Sequence, residues 1–273
     1  MNTTRVALFQ MTAGIDPAAN AAAIADAVRT AKVGGAAMLF TPEMSGLLDR
    51  DRRRATPHIV AEEENPVLKA AREAAAAQEL WIALGSLAIL RDDGRWANRS
   101  FLLGPDGAVA ARYDKIHMFD VELATGETWR ESAAYAPGEY VVTAETPLGS
   151  LGLSICYDLR FPALFGALGD RRCDAIAVPA AFTVPTGVAH WHLLLRARAV
   201  EESAWIIAAA QVGEHADGRK TYGHSLVVDP WGDVVLDMGG AGPGVGFADI
   251  SATRTAEVRA QLPALANRRK MAN

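Results

Sequence analysis

The chain alternates twice between short apolar runs and longer helix-like segments, and this alternation restricts the possible folds most strongly. Continuous apolar runs are typical of buried strands, while Pro at the start and Gly at the end are typical of helices. The first half is predicted to contain a strand at 5–11, a helix at 16–35, a strand at 36–40, a helix at 65–80, a strand at 81–90 and a hairpin at 97–115. The second half is predicted to contain a strand at 151–156, a helix at 162–170, a strand at 174–180, a helix at 189–203, a strand at 204–212, a hairpin at 223–238, a strand at 244–250 and a helix at 252–262. This repeated order favours two related sheets, each with helices on one face, packed against each other.

Length and charge restrict the class of protein further. The chain has 273 residues, of which 50% are apolar, and it fits one large α/β domain better than two small ones. Its formal net charge is -5, which argues against a nucleic-acid-binding protein because no basic field covers the chain. The basic cluster at 50–54 and the acidic cluster at 62–64 are interpreted as solvated surface.

Targeting signals and cysteine usage indicate a compartment. The N-terminal segment is not typical of a signal peptide, because its apolar core is short and is interrupted by Gln10. The longest apolar run, at 204–210, is far below the roughly 20 residues of a membrane span. Two cysteines, Cys156 and Cys173, do not make a disulfide framework. We therefore expect a cytoplasmic protein with no membrane partner.

Three short polar segments follow apolar strands. Glu43 occurs in "LFTPEMS", Lys115 in "RYDKIHMFD" and Cys156 in "SICYDLRFP". In open α/β sheets, ligands gather beyond the carboxyl ends of the strands, so polar residues at these positions are candidates for a site. Each has an ordinary structural alternative: Cys156 as core packing, Glu43 as a helix cap or loop residue, and Lys115 as surface.

A thiol, a carboxylate and an ammonium are sufficient for acyl transfer. A free thiol has a pKa near about 8.5, so it needs a neighbouring base to take its proton at neutral pH. An ammonium can stabilise both a thiolate and the oxyanion that forms when the thiolate attacks a carbonyl. Together the three residue types are compatible with hydrolysis of an amide through a thioester.

The same segments carry a resemblance to a known family. The motifs "TPEMS", "YDKIHMFD" and "CYDLRFP" resemble those of the nitrilase, or carbon–nitrogen hydrolase, superfamily, and the likeness runs nearly end to end. The stretches "AFTVPTGVAHWHLLLRARAVE" and "YGHSLVVDPWGDVV" resemble the branch that contains amidases of deaminated glutathione and ω-amidases of 2-oxo acid amides. This resemblance implies a metabolite-repair amidase with an αββα four-layer sandwich, an α/β fold.

The resemblance also assigns roles to residues. It implies Cys156 as nucleophile, Glu43 as general base and Lys115 as oxyanion stabiliser, with the backbone N–H of Tyr157 as a second oxyanion donor. The superfamily has a second glutamate between the Lys and the Cys, and Glu131 in "WRESAAYAPG" matches it better than the competing Glu127.

At the level of the whole chain, the resemblance implies one domain over residues 1–273 that assembles at least as a homodimer through its helical faces. It also implies that neither a metal nor an organic cofactor is required.

Substrate recognition is predicted less directly. Arg160 follows the nucleophile by four residues, and its planar guanidinium suits a substrate carboxylate. The alternative is that Arg160 pairs with Asp158 or Glu202 as scaffold. Phe182 and Thr183 in "AFTVPTG" are candidates for a pocket wall. The motifs favour deaminated glutathione as substrate, with 2-oxoglutaramate, or another amide or carbamoyl compound of the superfamily, as alternatives.

Three other classes of enzyme and a non-enzymatic scaffold are the alternatives to an amidase. A Cys–His peptidase lacks a matching signature around Cys156, and a dinucleotide enzyme lacks the G-x-G-x-x-G pattern. A zinc enzyme is disfavoured because His190 and His192 face apart on a helix and no Cys/His cluster accompanies them. A non-enzymatic scaffold that retains the site is the remaining alternative, and a contrast in thiol reactivity between Cys156 and Cys173 would argue against it.

Overall fold

The computed structural model describes residues 3–122, 126 and 128–269 of the chain. Its strands are β1 (Thr3–Gln10), β2 (Met38–Phe40), β3 (Trp81–Leu90), β4 (Trp96–Leu103), β5 (Val109–Asp114), β6 (Asp120–Glu122), β7 (Thr128–Arg130), β8 (Thr143–Thr146), β9 (Gly149–Leu153), β10 (Ala175–Ala177), β11 (Trp205–Ala208), β12 (Val212–Glu214), β13 (Lys220–Tyr222), β14 (Leu226–Val228), β15 (Val234–Asp237) and β16 (Gly244–Ser251). Its α-helices are α1 (Pro17–Val33), α2 (Arg52–Ala55), α3 (Pro66–Gln78), α4 (Pro162–Asp170), α5 (Val184–Glu202), α6 (Ala252–Gln261) and α7 (Ala264–Asn267). Short 3₁₀ helices occur at Thr56–His58, Glu62–Glu64, Glu131–Ala133 and Cys156–Arg160.

Two six-stranded sheets share one plan. The first has the order β16-β1-β2-β3-β4-β5, and the second has the order β15-β14-β11-β10-β9-β8. In each sheet three neighbouring strands are parallel to one another: β1, β2 and β3 in the first, and β9, β10 and β11 in the second. On one side of these strands two antiparallel strands continue the sheet, and on the other side a single antiparallel strand, β16 or β8, forms the edge. Each half of the chain therefore builds most of one of two related sheets, as the repeated order of elements predicted, although β16 from the second half completes the first sheet beside β1.

Strand alternation places each sheet between two apolar layers. In β1, the side chains of Val6 and Leu8 belong to the core between the sheets, whereas Ala7 and Phe9 face the other way. On that outer face they meet the apolar side of α1 and α3, because successive side chains of a strand point to opposite faces.

The second sheet is covered in the same way by α4 and α5. Trp191 and Leu195 of α5 are fully buried in the core that includes the second sheet. The order of layers is thus helix, sheet, sheet, helix, and the predicted αββα sandwich is confirmed.

The predicted element boundaries hold best where an apolar run is long. The helix predicted at 189–203 begins earlier, at Val184, because Pro185 can occupy its first turn and Thr183 serves as its N-cap residue. The strands β6, β7, β8, β12 and β13 were not predicted, since they are short and expose about half of their side chains.

Two sequence predictions concern the chain as a whole, and a third concerns Glu127. Within the described residues, no helix combines the length and the apolar character that crossing a membrane requires. The assignment of residues 1–273 to one domain stays a prediction. Glu127, the competitor for the second glutamate, lies outside the described residues.

Candidate active site

The three predicted catalytic residues follow strands and meet in one cavity. Glu43 comes shortly after β2, Lys115 directly after β5 and Cys156 shortly after β9. Their exposed fractions are 5%, 2% and 9%, so all three are buried. They line a cavity of about 810 Å³ together with Glu131. The structure therefore brings together the four residues that the sequence singled out for catalysis.

The Glu43 carboxylate is held from several directions. Its Oε1 accepts hydrogen bonds from Lys115 Nζ and Asn98 Nδ2, both at 2.9 Å, and its Oε2 accepts from the Ala181 N–H at 3.0 Å. The backbone of this segment is held as well, because the Gln211 side chain donates to the Glu43 carbonyl at 2.9 Å. A base fixed in this way keeps one orientation relative to the nucleophile.

A glycine in the neighbouring strand allows the segment before Glu43 to lie where it does. A Cβ at Gly85 would overlap the carbonyl oxygens of Thr41 and Pro42. The Gly85 N–H instead donates to the Thr41 hydroxyl at 3.0 Å. This close approach positions the residues that lead to the carboxylate.

Lys115 lies between two carboxylates. Its Nζ is 2.9 Å from Glu43 Oε1 and 2.9 Å from Glu131 Oε2. Glu131 is anchored in turn, because its Oε2 accepts the Phe119 N–H at 2.7 Å and its Oε1 accepts Asn98 Nδ2 at 3.1 Å. The ammonium is thus fixed by salt bridges on both sides.

Cys156 adopts a strained backbone conformation at the start of a 3₁₀ helix. Its φ is +48°, in the left-handed region that non-glycine residues rarely occupy. Its N–H donates to the Pro179 carbonyl at 2.9 Å, which holds this turn against the end of the adjacent strand. Strained residues of this kind persist when the surroundings fix them, and they concentrate at functional sites.

The pKa values of the three groups are shifted together. Burial would raise the pKa of Glu43, but Lys115 and hydrogen bonds from Cys156 and Asn98 lower it below its ordinary value. Burial would lower the pKa of Lys115, but Glu131 and Glu43 raise it well above its ordinary value. At neutral pH the site therefore holds a carboxylate beside an ammonium.

The predicted nucleophile, Cys156, rests as a thiol. Burial and the Glu43 carboxylate raise the pKa of Cys156 well above its ordinary value, although Lys115 acts in the opposite direction. The expectation that the ammonium would stabilise a thiolate is therefore outweighed in the resting site. The proton stays on sulfur, beside a carboxylate that can accept it.

Several residues that hold this site were not predicted from the sequence. Asn98 is 1% exposed and bridges Glu43 and Glu131 through its amide. Asn98 stands in β4 beside two other polar residues, Arg99 and Ser100, so the sequence did not single it out, whereas Gln211 interrupts an apolar run. Arg198 donates from Nε and Nη2 to the Leu159 carbonyl and so holds the nucleophile turn.

Asp158 also supports the nucleophile turn. Its carboxylate is fully buried and accepts from the Tyr113 hydroxyl at 2.7 Å and the Ile155 N–H at 2.9 Å. It also accepts the His117 N–H at 3.0 Å and lies 2.6 Å from that residue's ring Nδ1. These partners leave Asp158 no part in pairing with Arg160.

Arg160 faces the cavity rather than a structural carboxylate. Glu202, the other scaffold partner considered, pairs with Arg268 at 2.8 Å. The Arg160 guanidinium lies 5.8 Å from the Tyr157 ring centre and 5.5 Å from the Phe182 ring centre. Among the residues described here it makes no ion pair, so its charge is available to a ligand.

The other predicted substrate residues also line this cavity. Tyr157, Phe182 and Thr183 all contribute to its wall. The Phe182 ring packs on Trp191 with centres 4.8 Å apart, and the Thr183 hydroxyl lies 2.8 Å from that of Thr186. The segment 181–187 is therefore both a cavity wall and the start of α5.

A separate polar group involves two histidines. His192 Nε2 lies 3.0 Å from Asp237 Oδ2, and His224 Nδ1 lies 2.9 Å from Asp237 Oδ1. This combination was not predicted from the sequence, which paired His192 with His190, because it joins α5 to the hairpin formed by β14 and β15. These residues do not line the catalytic cavity, and the absence of a catalytic metal stays a prediction.

Fold and site together define a class of protein: an α/β sandwich in which a buried cysteine, a carboxylate and an ammonium are arranged for acyl transfer. The sequence profile of the family named Carbon-nitrogen hydrolase matches residues 5–260. The chain belongs to this family, and the resemblance drawn from its motifs is confirmed.

Relatives within the family share a name. A protein of Yersinia enterocolitica named "Deaminated glutathione amidase" is 39% identical over 98% of this chain and 94% of its own length. A human protein of the same name is 37% identical over 97% of this chain and 82% of its own length.

Solved structures agree with the fold. The NitFhit protein of Caenorhabditis elegans matches 98% of this chain with a TM-score of 0.90 and 33% identity, and this chain spans 65% of it. A double mutant of an amidase from Nesterenkonia sp., in complex with acrylamide, matches 98% of this chain and 95% of its own, with a TM-score of 0.83 and 27% identity.

Proposed function

We propose that this protein is a cysteine-dependent amidase that hydrolyses the amide of a small 2-oxo acid, with deaminated glutathione as its substrate and 2-oxoglutarate and Cys-Gly as products. The observation that carries the proposal is the Glu43 carboxylate, fixed 2.9 Å from the Lys115 ammonium and hydrogen-bonded to the Cys156 thiol in one cavity. The shared name of the relatives supports the choice of substrate.

The charge of the cavity supports an anionic substrate. Among the described residues, its wall contains six basic and three acidic side chains, although the whole chain has a net charge of -5. The basic residues are Arg50, Arg52, Lys115, Arg130, Arg160 and Arg219, and the acidic residues are Glu43, Asp49 and Glu131. Deaminated glutathione has a carboxylate at each end, with the scissile amide between them. Such a cavity attracts anions and raises their local concentration.

Acylation begins with proton transfer from sulfur. Glu43 accepts the proton of Cys156 while Sγ forms a bond to the amide carbon. The negative charge that develops on the carbonyl oxygen is stabilised by Lys115 Nζ and the Tyr157 N–H. Glu43 then gives its proton to the amine nitrogen as the C–N bond breaks, which leaves the acyl group on sulfur as a thioester.

Deacylation reverses these roles with water as the nucleophile. Glu43 accepts a proton from water as the water oxygen attacks the thioester carbon, and the same two donors stabilise the oxyanion. The C–S bond breaks, the carboxylic acid leaves, and the proton returns to Cys156. Glu131 positions Lys115 throughout, because it supplies the second carboxylate that holds the ammonium.

Replacement of Glu43 by glutamine distinguishes protonation of the departing amine from attack by the Cys156 thiol. We expect kcat for amide hydrolysis to fall by roughly 10²- to 10⁴-fold, because the departing amine is no longer protonated. Alkylation of Cys156 by iodoacetamide should fall far less, because iodide leaves without a proton and because removal of the Glu43 charge, which raises the pKa of the thiol, partly offsets the loss of the base. Steady-state kinetics and the rate of alkylation, followed by mass spectrometry, measure the two effects.

Two controls accompany this variant: the alkylation of Cys173 and the replacement of Glu202. Cys173 is fully buried and does not line the cavity, so we expect its alkylation to be much slower than that of Cys156. Replacement of the buried Glu202 by glutamine should leave kcat close to that of the wild type, because this carboxylate does not line the cavity. Equal losses of hydrolysis and alkylation in the Glu43 variant would contradict a role in amine protonation.

The substrate is tested by direct comparison. We expect kcat/KM for deaminated glutathione to exceed that for 2-oxoglutaramate, and both activities to disappear in Cys156→Ala. A large advantage for 2-oxoglutaramate would instead assign the protein to the ω-amidases, as 2-oxoglutaramate has a single carboxylate. Hydrolysis of neither compound would reject the proposed substrate class.

Two further proposals concern the whole molecule. We propose a homodimer formed through the helical face that contains α5, where Leu193 and Val200, seven positions apart on one side of the helix, are 66% and 40% exposed. Exposed apolar side chains on one helix face are typical of an interaction surface. We also propose that the protein acts in the reducing cytoplasm, since its cysteines, Cys156 and Cys173, are both free.

A further inference from the structure

A second guanidinium, that of Arg219, lies on the wall of the catalytic cavity. Arg219 directly precedes β13, in the turn of the hairpin formed by β12 and β13. Its guanidinium carbon lies 4.6 Å from the Trp129 ring centre, and its side chain is 15% exposed. The stacking fixes the plane of the guanidinium, which restricts the directions in which it can donate hydrogen bonds.

The donors of this group are incompletely used. Arg219 Nη2 lies 3.2 Å from Asp217 Oδ2, and the same carboxylate also accepts the backbone N–H groups of Arg50 and Arg219. Among the described residues, neither Arg219 Nε nor Trp129 Nε1 has a hydrogen-bond partner, and both atoms are buried. A guanidinium has five N–H donors, so it can hold Asp217 and still bind a second acceptor. Unused buried donors cost free energy, which a ligand carboxylate at the free edge of the group would offset.

An aromatic row connects Arg219 with Arg160. The Trp129 ring lies 6.3 Å from that of Phe119, which in turn lies 5.0 Å from that of Tyr157. Arg160 lies over the far end of this row, 5.8 Å from the Tyr157 ring centre. The two guanidiniums therefore stand at opposite ends of one row along the cavity wall.

The catalytic groups lie beside this row. Cys156 precedes Tyr157 in the chain and therefore lies near the end marked by Arg160. On the other side, Tyr135 lines the same cavity wall as Arg219 and Lys115. A substrate whose amide reaches Cys156 with its acyl carboxylate on Arg160 would extend its amine portion towards Arg219.

We propose that Arg219, backed by Trp129, binds a carboxylate on the amine portion of the substrate, the part that leaves as Cys-Gly. This inference rests on the proposed function and deepens it, because it explains how an amide of a carboxylate-bearing amine is selected over a simple amide. Asp217 keeps the guanidinium in place. The excess of basic residues on the wall offsets the repulsion between the Asp217 carboxylate and the carboxylate of the substrate.

The test compares three substrates. Deaminated glutathione has a terminal carboxylate on its amine portion, its C-terminal carboxamide analogue has the same shape without that charge, and 2-oxoglutaramate has no such portion. In the wild type we expect kcat/KM to be roughly 10- to 100-fold higher for the carboxylate than for the carboxamide, the range of a charged hydrogen bond. In Arg219→Gln this ratio should approach one, and the loss on 2-oxoglutaramate should be smaller than the loss on deaminated glutathione.

A matched control and a conservative variant complete the design. Arg53 is exposed on α2 and does not line the cavity, and Arg53→Gln should keep the wild-type ratio if the effect is specific to Arg219. Arg219→Lys should recover part of the ratio, because it restores the charge without the planar fork.

The outcomes separate this inference from the proposed function. Wild-type hydrolysis of carboxylate and carboxamide at equal kcat/KM overturns the inference while the amidase stands, and this comparison does not depend on any variant folding. An equal loss on 2-oxoglutaramate and deaminated glutathione in Arg219→Gln also overturns it, because Arg219 would then serve the acyl portion. Hydrolysis of none of the three substrates overturns the proposed function, and the inference with it.

Discussion

Replacement of Cys156 by alanine is expected to lower kcat for amide hydrolysis by on the order of 10⁴-fold or more. The reason is that no other nucleophile stands beside the Glu43 carboxylate and the Lys115 ammonium among the residues described in the cavity wall. The fold should survive, because Cys156 lies at the cavity surface and its loss leaves no charge unpaired. Progress curves at high enzyme concentration, with the circular dichroism spectrum of the variant, measure both points.

Cys173 provides the matched control for this variant. It is also buried and also free, but it packs in the core near Leu168 and Gly152, away from the catalytic groups. We expect Cys173→Ala to lower the stability modestly and to keep kcat within a few fold of the wild-type value. Loss of activity in both variants alike, or substantial residual turnover in Cys156→Ala, would refute the assignment of the nucleophile.

Replacement of Lys115 by methionine is expected to lower the free energy of unfolding by about 3–5 kcal/mol near neutral pH. Met fills a similar volume but removes the ammonium that lies between Glu43 and Glu131. Two carboxylates would then share a buried site without a cation, and this cost is a large part of a typical domain's total stability. Urea-induced unfolding at pH 7 measures the loss.

The same variant should show a characteristic dependence on pH. In the wild type, the folded pKa of Glu43 lies below its unfolded value near 4.5, so this carboxylate stabilises the fold above that value and ceases to do so at lower pH. Without Lys115, burial raises the pKa of Glu43 instead, and the folded variant takes up a proton as the pH falls. The difference in stability between wild type and variant should therefore narrow from pH 7 towards pH 5.

An exposed lysine provides the comparison. Lys69 lies on the solvent face of α3, and Lys69→Met should change the free energy of unfolding by less than about 0.5 kcal/mol at either pH. If Lys115→Met were as stable as Lys69→Met at pH 7, the ammonium would not be holding two charged carboxylates. Activity would then have to be explained with one of the two glutamates protonated.

The positions of the catalytic residues could be predicted because they follow a local rule. Glu43, Lys115 and Cys156 each come after a predicted strand, and ligands gather beyond the carboxyl ends of such strands. Glu43 and Lys115 follow strands of the first sheet and Cys156 follows a strand of the second, so the packing of the two sheets brings all three together. The element order was equally readable, since each sheet repeats the same sequence of strands, helices and hairpin. Boundaries were less accurate at α5, where the first turn is formed by a Pro-containing segment that also lines the cavity.

The supporting residues could not be predicted, because their partners are remote in the sequence. Asn98 reaches Glu43 across 55 positions, and Gln211 reaches the same residue across 168. Neither residue carries a local pattern that identifies its partner. The same holds for Arg219 with respect to Trp129, which comes from a distant segment of the chain, whereas Asp217 is only two positions away.

The sequence by itself determined the two related sheets, the family and the residues from which a thiol, a base and an ammonium could be assembled. The tertiary structure alone decided the protonation of that assembly. Burial and the adjacent Glu43 carboxylate raise the pKa of Cys156, so the resting nucleophile is a thiol with its base in place rather than a preformed thiolate. The reason is physical: periodicity and spacing report on local conformation, whereas the pKa of a group depends on solvent exclusion and on charges brought close by the fold.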